Sequence, residues 1–130
     1  MRSLSILVLG ILLGVTSLWA EDVLRFRGPN SQGTYNERGL LKKWPRKGLK
    51  PKWISKNLGA GWSGVIKVKN RLYLNCLDPK NRRKESILCL DLNGKKIWQT
   101  TTGKIWYKSY SSPRSTPTYV KGKGRLVVQT

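Results

Sequence analysis

Two loop arginines and two cysteines are the residues of this sequence whose type and setting could do chemistry. Arg27 lies in Phe26-Arg27-Gly28-Pro29-Asn30 and Arg114 in Pro113-Arg114-Ser115-Thr116-Pro117, so each guanidinium sits in a loop bounded by Gly or Pro. Such a group either pins its loop by donating to backbone carbonyls or receives an anion in its planar fork, and loops on a rigid scaffold often do the binding. Arg27, Asn30, Arg114 and Ser115 are the candidate binding-loop residues. Cys76 and Cys89 are 89 − 76 = 13 residues apart with no clustered partner ligands, which does not make a metal site. They are either a disulfide or two buried apolar thiols.

What is missing excludes more. The chain has no histidine, so it cannot build a Ser-His-Asp triad, a Cys-His dyad, a His-ligated zinc site or a haem with a proximal His. Its six acidic residues stand at 21, 22, 37, 78, 85 and 91, too scattered to read as a catalytic or metal-binding constellation. No catalytic residue, metal ligand or cofactor site is assignable, and the balance leans against an enzyme in this chain alone.

Charge and export decide what the cations can meet. Twenty-six Lys plus Arg against six Asp plus Glu give +20 over 130 residues. Arg2, the apolar run from Leu4 to Val15 and Ser17-Leu18-Trp19-Ala20 predict a signal peptide over 1–20, cleaved after Ala20. The apolar run falls short of the ~20 residues of a membrane span. Cleavage leaves 130 − 20 = 110 residues carrying 25 − 6 = +19. Outside the cytoplasm the polyanions on offer are lipid head groups, cell-wall polymers, acidic polysaccharides and stray nucleic acid. The alternative is a solvated basic surface; no dense basic block stands out, and Asn81 to Lys84 holds three cations in an expected loop.

The elements that must carry these residues are strands. Residues 21–61 are punctuated by Gly and Pro too often for a helix, with one short strand expected at 52–54. From residue 62 the pattern is β: strands are expected at Val65–Lys69, Arg71–Leu77, Ile87–Leu90 and Lys95–Thr102. Leu72, Leu74 and Cys76 share one face by the period of two, and Ile87 to Leu90 reads as covered on both faces. Asn93-Gly94 supplies a tight turn. Residues 63–102 thus read as a four-stranded antiparallel meander in which Cys76 would face Cys89. Tyr119-Val120 with Arg125 to Val128 echoes Val65-Ile66 with Arg71 to Leu74 at an offset of 125 − 71 = 54, and Lys52-Trp53 echoes Ile97-Trp98 at 98 − 53 = 45. Offsets of this size are those of propeller blades.

Leu90-Asp91-Leu92-Asn93-Gly94-Lys95-Lys96-Ile97-Trp98 resembles the repeat signature of the pyrroloquinoline quinone (PQQ)-like β-propeller family, relatives of quinoprotein alcohol dehydrogenases. Phe26 to Asn30 with Gly33, and Pro113 to Pro117, resemble flanking segments of its exported subgroup. The resemblance spans residues 25–128 and implies an all-β fold of about one blade plus the start of a second, with 62–130 as a truncated repeat region. Asp91, Asn93, Gly94 and Trp98 are the structural repeat positions: Asp91 accepts turn hydrogen bonds and Trp98 packs between blades. The PQQ cofactor is implied by the family name alone.

An exported, secreted or periplasmic, non-catalytic binding or scaffold module of the cell envelope is therefore expected. Its partners would be envelope proteins, anionic polymers, or the further blades or copies that close a propeller. The rivals are the N-terminal part of a quinoprotein-type dehydrogenase with its cofactor site in other blades, and a small basic polyanion-binding module.

Overall fold

The computed structural model describes residues 21–106 and 113–130; the expected signal peptide lies outside them. The described residues form six strands and no helix: β1 (Ile66–Val68), β2 (Arg71–Leu77), β3 (Lys84–Leu90), β4 (Lys96–Lys104), β5 (Thr118–Val120) and β6 (Arg125–Val127). β1 to β4 make a four-stranded antiparallel sheet in chain order and β5–β6 a separate antiparallel pair. The expected meander is present.

Register assigns the faces, because directly paired residues of an antiparallel ladder point the same way. Leu72↔Leu90, Leu74↔Leu88 and Cys76↔Ser86 lie on one face, which carries the buried cluster of Cys76, Leu88 and Leu90. Leu58, from the irregular segment before β1, packs onto that cluster and covers it. Ile66, Tyr73, Asn75, Ile87 and Cys89 lie on the opposite face, joined by Trp98 through its pairing with Cys89. All six residues from Glu85 to Leu90 are buried, as expected of a strand covered on both sides.

Strand bounds moved at polar residues. β3 begins at Lys84, three residues before the expected Ile87, because Glu85 and Ser86 are buried and hydrogen-bonded rather than solvated. The expected strand at 52–54 is irregular instead: Trp53 covers Gly94, the Ser55 hydroxyl donates to the Gly94 carbonyl, and the segment joins β2 through the Leu77 amide donating to the Ala60 carbonyl at 2.7 Å. Those contacts take the place of a ladder. At the β3–β4 turn Gly94 takes φ 78°, its amide donating to the Asp91 carbonyl and the Asp91 amide to the Lys95 carbonyl. An added Cβ there would stand 2.6 Å from the Trp53 ring.

Residues 22–24 tie the two sheets together at their first strands. Val23 bridges Lys67 of β1, while the Leu24 carbonyl accepts the Tyr119 amide of β5 at 2.8 Å. The hairpins β1–β2 and β5–β6 correspond with offsets of 120 − 68 = 52 and 125 − 71 = 54, the second having two more residues in its turn.

Candidate anion-binding cleft

The end of the sheet where β2 hands over to β3 is built on Asp78. One carboxylate oxygen of Asp78 accepts the Lys80 amide at 2.8 Å and the Asn81 amide at 3.3 Å; the other accepts the hydroxyls of Ser86 at 2.9 Å and Thr101 at 3.2 Å. An Asp that bonds the amide two residues on closes an Asx turn. Backbone bonds complete the loop: Asp78 amide to Lys84 carbonyl and Lys84 amide to Asn81 carbonyl, both 2.9 Å. The Lys80 amide is the main cause of a lowered Asp78 pKa, opposed by desolvation and aided by Ser86, Thr101 and the Asn81 amide.

This loop and the end of β4 border an open cleft of about 800 Å³ lined by Asn81, Arg82, Arg83, Lys84 and Lys104 with the apolar Leu77 and Ile105. Lys84 and Lys104 are direct partners across the β3–β4 ladder, and the Ile105 amide donates to the Arg83 carbonyl at 3.0 Å. All four cations are exposed, and the backbone of Arg83, Lys84 and Lys104 is held by hydrogen bonds or ladder pairing. The arrangement can bind an anion.

Glu85 points to the other face, where it is 5% exposed and accepts the Asn75 side-chain amide at 3.0 Å. That amide also donates to the Ser115 hydroxyl at 3.1 Å, and Ser115 donates to the Gln129 carbonyl. With the Gly64 amide donating to the Thr116 hydroxyl at 2.9 Å, this part-buried polar group fastens the segments flanking β5–β6 to the first sheet. Its role is attachment.

The expected site residues fall in separate places. Arg27 is exposed with φ 62°, its carbonyl accepting the Gly33 amide at 2.8 Å, and Asn30 stands exposed in the same N-terminal loop. Arg114 is exposed beside Ser115, whose hydroxyl belongs to the attachment group just described. Asp91 accepts the amides of Asn93 and Lys95, each at 2.9 Å, as a turn residue does. Trp98 is 40% exposed and tilted against Tyr73 with ring centroids 5.9 Å apart.

Cys76 and Cys89 are free thiols on opposite faces of the sheet, Cys76 opposite Ser86 and Cys89 opposite Tyr73. The facing geometry expected for a disulfide is therefore not realised, since the side chains point away from one another. Burial pushes the Cys76 thiol up to about 11, aided by Asp78, and raises that of Cys89. Among the described residues no three His, Cys, Asp or Glu gather where they could hold a metal ion.

Nothing in the sequence marks Lys104 as a partner of the cations at 82 to 84. It is 104 − 84 = 20 residues beyond Lys84, and only the hairpin register joins them. No family model, curated protein or solved structure matches the chain.

Proposed function

We propose that the chain is a repeat unit of an exported, propeller-type protein of the cell envelope, with a binding or scaffolding role and no turnover of its own. The observation that carries this reading is the four-stranded meander followed by a second hairpin fastened to one of its faces. The near-constant offsets of 52 and 54 support a repeat. Exposed Trp98 and Ile97 on the last strand of the meander support a neighbouring sheet, supplied by further repeats or other copies.

The test joins size to activity. The protein purified from the envelope fraction is expected to be a particle containing several such sheets, without dye-linked alcohol oxidation when PQQ and calcium are added. Reproducible quinone-dependent oxidation overturns the non-catalytic reading.

A further inference from the structure

We propose that the cleft between the 78–84 loop and the end of β4 is a binding site for an oxyanion ester, phosphate or sulfate, carried on a sugar-sized body. Three observations converge on it, and none depends on the propeller reading. Lys84 and Lys104 face one another directly across the ladder. Like charges so placed repel and weaken a sheet, so the pair costs stability until an anion lies between them. The neighbouring carboxylates do not supply that anion: Asp78 is taken up by Ser86, Thr101 and two backbone amides, and Glu85 is buried and accepts the Asn75 side-chain amide.

Size and lining describe the ligand. About 800 Å³ is far more than an inorganic ion occupies and lies within the range of small-molecule pockets, roughly 300–1,000 Å³. Arg82 and Arg83 offer planar forks suited to two oxygens of one ester, while the lysines act as point charges. Leu77 and Ile105 give an apolar wall for a ring. Asp78 holds the loop closed without a ligand, so little ordering is left to be done on binding.

Calorimetric titration of the purified protein with glucose 6-phosphate, glucose 6-sulfate and uncharged glucose tests the site. The two esters are expected to bind and glucose not; the ester that binds more tightly identifies the oxyanion. R83Q and K104Q are each expected to weaken binding by about tenfold or more, the loss of one charge-assisted hydrogen bond. K104Q is also expected to raise the melting temperature of the ligand-free protein at low salt, because it relieves the Lys84–Lys104 repulsion. The control K121Q/K123Q, in the β5–β6 turn, keeps full affinity. Equal binding of glucose, no binding of either ester, or equal losses in K121Q/K123Q and K104Q would overturn the proposal.

Discussion

At Asp78 the carboxylate is held below its ordinary pKa chiefly by the Lys80 amide, with Ser86 and Thr101 adding hydroxyl donors. A group whose folded pKa is depressed contributes stability above its unfolded value, about 3.9 for Asp, and loses it as pH falls through the folded value. D78N is therefore expected to melt several degrees below the wild type at neutral pH. The two melting temperatures converge as the pH is lowered from about 5 towards 2; parallel curves would contradict the role. The thiols give a second residue-scale prediction. With Cys76 at about 11, roughly one thousandth is thiolate at pH 8. A thiol reagent should leave Cys76 and Cys89 unmodified in the native protein and label both in denaturant, and mild oxidation should give no intramolecular cross-link.

Strands were legible where apolar residues alternate or run together, and illegible where buried polar groups interrupt them. The period of two in Leu72, Leu74 and Cys76 and the apolar run from Ile87 to Leu90 found β2 and the centre of β3. Glu85 and Ser86 read as loop residues because a sequence does not reveal that Asn75 and Asp78 satisfy them inside the sheet. The ladder of β3 and β4 also shifts register at Glu85/Ser86 and at Cys89/Leu90. Counting back from the Asn93-Gly94 turn therefore could not have set Lys104 opposite Lys84, and the cleft stayed hidden. At this scale the fully buried Leu88 is the packing centre. L88A is expected to destabilise the sheet by about 2–5 kcal/mol in urea unfolding, the cost of removing a large buried side chain. L92A, at a turn position 38% exposed, should change it by about 0.5 kcal/mol or less.

Among the described residues a small core stands beside much exposed apolar surface. Ile66, Leu88 and Cys89 are fully buried, yet Trp44 and Trp62 are each 76% exposed and Leu40 72%. On the proposed repeat-unit reading, these large aromatic surfaces on a chain of +20 charge are the ones neighbouring sheets would cover. On the repeat-unit reading the exposed aromatic surface is what further sheets would cover, while the cations at 82–84 and 104 belong to the proposed oxyanion cleft. The most direct test of the repeat-unit reading is the native mass of the protein isolated from the envelope fraction, measured beside the intact mass of its polypeptide. A particle several times heavier than 110 residues, made of one longer polypeptide or of several copies, is the predicted result. A discrete single chain of about 110 residues that stays monomeric across concentration would contradict it.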